Sequence, residues 1–122
     1  MDEQSSPSLW AQYSAEIRSD VTFIERPWGF ISYSFPLGAP NCIYAEDIYV
    51  VPDKRGTGCA LALIAEVEDA GHKAGKEYFL ASIKIASRTC AESLKAHLAV
   101  GFVPISTDSA TIWLRRAIPR GE

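Results

Sequence analysis

The sequence predicts an α/β fold of the α+β kind, a mixed and mostly antiparallel sheet flanked by helices. Two observations carry that expectation. Residues 43–51 are rich in β-branched and aromatic side chains, and after a short glycine-bearing turn Leu61, Ile64, Val67 and Ala70, or Leu63, Val67, Ala70 and Ala74, recur at helical spacing. A short apolar run at 78–83 follows, so strand, helix and strand succeed one another as in a right-handed crossover, which makes the two strands parallel. The other β-prone runs come in pairs joined by turns, the pattern of antiparallel hairpins.

Taken in order, Ser6 and Pro7 start a helix to about residue 18, with Leu9, Tyr13 and Ile17 on one stripe. Residues 21–25 and 30–35 form a hairpin around Pro27, Trp28 and Gly29, with Ile31, Tyr33 and Phe35 on one face. Pro36 to Asn41 break the pattern as a loop before a strand at 42–51, which Pro52 ends. The next helix runs to about Ala74, with Gly75 as its cap, and a buried strand occupies 78–83. A helix at 90–100 precedes a last hairpin, 102–106 with 110–114, around Thr107, Asp108 and Ser109. No repeat or low-complexity segment interrupts these elements.

At 122 residues the chain fits one domain, 1–122, with room for a core. Hydrophobic residues make up 48% and charged residues 22%, which is ordinary globular usage. A net charge of −3 without a basic run argues against a nucleic-acid partner and is compatible with a cationic amine. The acidic, polar first residues do not resemble a signal peptide and no apolar stretch reaches membrane-spanning length, so a cytoplasmic protein without a membrane partner is expected. Cys42, Cys59 and Cys90 are odd in number and lack a Cys-x-x-Cys pair, which predicts reduced thiols and no metal site.

The turn from Arg55 through Gly56, Thr57, Gly58, Cys59 and Ala60 carries the chemistry. A helix N-terminus leaves amide hydrogens without intrahelical partners and adds a positive dipole end, so it binds oxyanions wherever glycine lets the backbone approach. Arg55 adds a charge-assisted donor. A nucleotide P-loop needs lysine and a hydroxyl residue straight after its last glycine, where Cys59 and Ala60 stand. A dinucleotide fingerprint needs a small residue at Leu61 and an acid closing the next strand, whereas Glu77 precedes its strand.

The segment from Arg55 to Ala60 resembles the R-x-x-G-x-A form of the pyrophosphate motif of the GNAT acetyltransferases. The run from Glu46 to Pro52 and the run from Ser93 to Phe102 resemble the central strand and last helix of that superfamily. Around Glu46 and Asp47 the sequence is also similar to the spermidine/spermine acetyltransferases and to short phage or bacterial members, without fixing a substrate. The resemblance implies the GNAT fold with splayed central parallel strands. It implies acetyl-CoA as cosubstrate, held by backbone of Ile48, Val50 and Val51 along its pantetheine arm and by Arg55, Gly56, Thr57, Gly58, Cys59 and Ala60 at its diphosphate. The activity implied is transfer of acetyl to a primary amine. A single short N-terminal helix stands where the superfamily commonly has two, leaving the acceptor side open or completed by a second subunit in a homodimer.

Acetyl transfer needs an uncharged amine, yet a free alkylamine has a pKa of about 10, so a base must take its proton. Strict alternation sends Glu46 and Asp47 to opposite faces of their strand. Position in the Glu-Asp-x-x-Val pattern marks Glu46 as the base; the alternative is an ion pair near the strand's exposed start. The family's tyrosine proton donor aligns with His97, which either acts as acid or packs on its helical stripe with Leu94, Leu98 and Gly101. Cys90 and His97 are about 10.5 Å apart along one helix, too far for a thiol–imidazole pair. A competing function is a catalytically weak acyl-CoA-binding, sensing or protein-interaction module on the same fold.

Overall fold

The computed structural model describes residues 20–119 together with Leu9, Gln12, Tyr13 and Glu16. Those four are helical, and the rest of the expected 7–18 helix lies outside the described residues. Six strands form one sheet: β1 (Thr22–Arg26), β2 (Gly29–Ser34), β3 (Cys42–Val50), β4 (Tyr78–Lys84), β5 (Val103–Thr107) and β6 (Thr111–Ala117), in the order β1-β2-β3-β4-β6-β5. Among these, β3 and β4 run parallel and every other neighbouring pair antiparallel. Helix α1 (Cys59–Lys73) connects them and packs on β2, β3 and β4, while α2 (Cys90–Ala99) packs on β4. The architecture is thus the mixed, mostly antiparallel sheet flanked by helices that the sequence predicts.

Two apolar stripes compete on α1, and the one through Leu63 and Val67 wins. Both residues are fully buried, whereas Leu61 is half exposed. They close a core with Ile31, Ile43, Phe79, Ala81, Phe102 and Leu114. Gly71, buried on the same helical face, lets α1 approach the sheet closely. A Cβ there would lie 2.7 Å from Ile43 Cγ2 and 2.9 Å from Ile118 Cδ1.

Three boundaries differ from the sequence expectation. A 3₁₀ turn at Pro52–Lys54 follows β3, its first position taken by a proline whose fixed φ suits it. Gly29 lies within β2, so the first turn is tighter than expected. Strand β6 continues to Ala117 because Arg116, opposite Phe79, turns toward the helices. There its guanidinium lies over Phe79 and Phe102, donates to Val100 O at 2.8 Å and pairs with Glu68 of α1 at 3.1 Å. A charged residue occupies an inward strand position by finding partners for its two terminal nitrogens, while its buried Nε has none among the described residues.

The feature that positions the site is the separation of β3 from β4. Their ladder joins Cys42–Tyr78, Ile43–Phe79, Tyr44–Leu80 and Ala45–Ala81, and stops there. Beyond it, β3 stays paired with β2 and β4 with β6, so the central strands splay toward their carboxyl ends.

Candidate active site

The splay leaves backbone groups of β3 facing a cleft. Val51 donates its N–H to Trp28 O at 2.9 Å, so by the two-residue repeat Asp47, Tyr49 and Val51 point their amides toward β2. Ile48 and Val50 therefore point theirs into the splay. The Val50 carbonyl accepts a hydrogen bond from Arg55 Nε at 2.8 Å, and the guanidinium lies 5.4 Å from the Tyr49 ring centre. Arg55 thus fastens the glycine turn to the strand end. Val51 has both backbone groups engaged, its carbonyl accepting from Lys54 N–H, so Ile48 and Val50 carry the exposed edge.

The turn presents its amides outward. Gly56 and Gly58 adopt φ of 75° and 90°, the left-handed region that side chains disfavour. The space where a Cβ would stand at either glycine is open to beyond 4 Å. Among the described residues, none accepts a hydrogen bond from the backbone N–H of Gly56, Thr57 or Gly58. Gly58 caps α1, so Cys59 and Ala60 contribute first-turn amides that have no partner within the helix. The Thr57 hydroxyl bonds back to Lys54 O and holds the turn closed. Amides with no partner at a helix start, beyond the carboxyl ends of two parallel strands, have the geometry that can hold an anion.

Glu46 sits at the point where the strands part. The pairing of β2 with β3 shifts there: Ser32 faces Asp47 and Tyr33 faces Ala45, so the register passes over Glu46. This is a β-bulge, and it corrects the expectation of strict alternation. The Glu46 carboxylate accepts a hydrogen bond from Ser34 Oγ at 2.9 Å, while the Asp47 N–H is donated to Ser32 Oγ at 3.2 Å. Both acidic residues therefore belong to the serine-bearing face, opposite the core. Tyr44 and Ser82 share a hydrogen bond of 2.6 Å on that face, and Tyr44 packs on Trp113. Glu46 is half-buried, Asp47 exposed.

His97 lies on the other side of the sheet. Its Nδ1 is 2.7 Å from Ser93 O and its ring meets Phe102 edge-on, with centroids 5.2 Å apart. The Ser93 carbonyl requires the proton on Nδ1, so the neutral ring offers a lone pair at Nε2 and can give up a proton there only as imidazolium. The structure gathers Ile48, Val50, Arg55 and the glycine turn around one cleft and puts Glu46 at its apex; it does not bring His97 to Glu46. Sequence reasoning missed Ser32 and Ser34, whose alternation with Ile31 and Tyr33 reads as a solvent face although both hydroxyls are buried. A separate concavity of about 900 Å³, lined among others by His72, Lys76 and Tyr78, opens near the amino end of β4, away from this chemistry.

Comparison with known proteins agrees with the fold and the motif. The profile of the acetyltransferase (GNAT) family matches residues 2–94, so the chain belongs to the GNAT acetyltransferase family. No curated protein sequence matches it. Among solved structures it is similar to nourseothricin acetyltransferase, with a TM-score of 0.67 and 20% identity over 75% of this chain and 58% of that one. It is also similar to the PaiA N-acetyltransferase of Thermoplasma acidophilum in complex with coenzyme A, with a TM-score of 0.70 and 17% identity over 89% of this chain and 68% of that one. An acetyltransferase from Thermus thermophilus aligns with a TM-score of 0.70 and 14% identity, over 86% of this chain and 69% of that one. The chain spans little more than half the length of the nourseothricin enzyme.

Proposed function

We propose that this chain transfers the acetyl group of acetyl-CoA to a primary amine. The observation that carries the reading is the ring of outward amides at residues 56–60, open at both glycine Cβ positions, at the mouth of a splayed parallel pair. Those amides and the α1 dipole suit a diphosphate. The edge at Ile48 and Val50, unpaired with β4, suits the amides of a pantetheine arm, as an added strand would. The solved complex of the PaiA enzyme with coenzyme A supports this choice of cosubstrate. What acetyl-CoA supplies is an activated acyl carbon with a thiolate leaving group.

Glu46, or a water held by it, takes the proton of the incoming ammonium. The amine nitrogen then bonds to the thioester carbonyl carbon and gives its second proton to solvent, the carbon–sulfur bond breaks, and the electron pair leaves with sulfur. The thiolate takes a proton from solvent or from His97 as imidazolium, so the sum is amide, free coenzyme A and one proton released. The half-buried setting of Glu46 beside the cleft suits a base, and a positioned base contributes about 10²- to 10⁴-fold. The engagement of His97 Nδ1 by Ser93 favours a second reading, a module that binds acyl-CoA with weak turnover.

The two separate in one assay. Acetyl-CoA is mixed with 1,4-diaminobutane, lysine and a peptide bearing a free N-terminal alanine while thiol release is followed. Amine-dependent release that falls about 100-fold in Glu46→Gln, with coenzyme A affinity unchanged, is the expected result. Binding without amine-dependent release favours the module, and unchanged turnover in the variant removes Glu46 from the mechanism.

A further inference from the structure

Resting on the reading of Glu46 as base, we propose that Ser34 is the positioning residue that aims its carboxylate. The bulge gives such a device its use. The strand register passes over Glu46, so neither a ladder rung nor the two-residue alternation fixes where its side chain goes. Ser34 supplies a restraint. It is 5% exposed, sits at the end of β2, and donates Oγ–H to Glu46 Oε2 at 2.9 Å.

A buried hydroxyl without an acceptor is costly, so the Ser34–Glu46 bond is favoured from both ends. Ser32 does the complementary work two residues earlier. It is 1% exposed and accepts the Asp47 N–H, which stabilises the bulge itself. One serine therefore holds the backbone irregularity and the next holds the side chain that the irregularity releases. A base misplaced by a fraction of an ångström loses rate with no loss of cosubstrate binding, because the turn at Gly56 and Gly58 lies on a different element.

The test is a double-mutant cycle read by amine-dependent thiol release from acetyl-CoA, using whichever of 1,4-diaminobutane, lysine or the alanyl peptide gives the fastest turnover. Ser34→Ala is expected to lower kcat about tenfold, leaving KM for acetyl-CoA and calorimetric affinity for coenzyme A within about twofold. In the Glu46→Gln background the same change is expected to alter kcat by less than about twofold, since the serine then has no base to aim. Circular dichroism and melting check the fold, and Ser34→Cys, close in volume and a weak donor, replaces the alanine in the cycle if that variant does not fold.

If Glu46→Gln lowers turnover but Ser34→Ala leaves kcat unchanged, or lowers it equally in both backgrounds, the positioning role is overturned and the base stands. If Glu46→Gln leaves turnover unchanged, or no amine elicits release from the unaltered chain, the base reading is overturned and the role of Ser34 with it.

Discussion

Residues 42–45 and 46–50 are two halves of β3 in opposite surroundings. The first half is bonded to β4 throughout and at Tyr44 and Ala45 to β2 as well, and Ile43 is fully buried against α1 and Phe79. The second half is bonded only to β2, and Ile48 and Tyr49 are 38% and 44% exposed although both are large and apolar. Ile48 is as apolar as Ile43, so what exposes it is the missing neighbour strand, and the same gap leaves room for Glu46 and Asp47 at its start. A strand edge left unpaired by β4 is what an extended, amide-bearing cosubstrate needs, and the half joined to β4 gives that edge a rigid base.

The contrast breaks most clearly under truncation. Ile43→Ala should lower the unfolding free energy by about 2–5 kcal/mol, because it opens a cavity in a closed core. Ile48→Ala should change it by about 0.5 kcal/mol or less, as for exposed positions. Urea denaturation of both variants measures the difference, and equal losses would mean that the second half is packed like the first.

A smaller effect sharpens the same boundary from the helix side. Gly71→Ala gains up to about 1 kcal/mol in helix propensity but forces a methyl against Ile43 and Ile118. Overpacking of this kind costs about 1–3 kcal/mol, so a net loss near 1 kcal/mol is expected in the same titration. Net stabilisation would show that the spacing of α1 from the paired half is loose.

The smallest effect lies outside both halves. Asp108, in the turn between β5 and β6, accepts the N–H groups of Ala110 and Thr111 at 2.8 Å each, and these bonds hold its carboxyl below the ordinary value of 3.8. A carboxyl with a depressed native pKa stabilises the fold above its unfolded value and loses that contribution as pH falls through the native value. The Tm advantage of the unaltered chain over Asp108→Asn should therefore be small, present at neutral pH, and vanish on acidification below pH 3.8. A difference that persists there would point to geometry and not charge.

Much of this frame is legible in the residues because it depends on local signals. Pro52, the two glycines and the apolar spacing of Leu63 and Val67 mark strand end, turn and helix, and their order dictates the parallel pair. The bulge is not legible, since it arises from the register of Ser32 against Asp47, residues far apart in the chain. For the same reason Ser34 reads as an outward polar position until its partner Glu46 is seen. The end of β6 is hidden by Arg115 and Arg116, whose charges argue against a strand, and Arg116 is accommodated only by Glu68, Val100 and two phenylalanine rings from elsewhere. His97 is legible as a helix residue, but the engagement of its Nδ1 by Ser93 is not.

Calorimetric titration with coenzyme A, and in parallel with pantetheine, which lacks the nucleotide and its diphosphate, tests the proposed diphosphate site at the glycine turn most directly. Coenzyme A is expected to bind the unaltered chain at least about 100-fold more tightly than pantetheine, a difference of about 2.7 kcal/mol, and that advantage should disappear in Gly58→Glu, where a carboxylate enters that site. Equal affinity for the two ligands, or coenzyme A binding that survives Gly58→Glu, would contradict it.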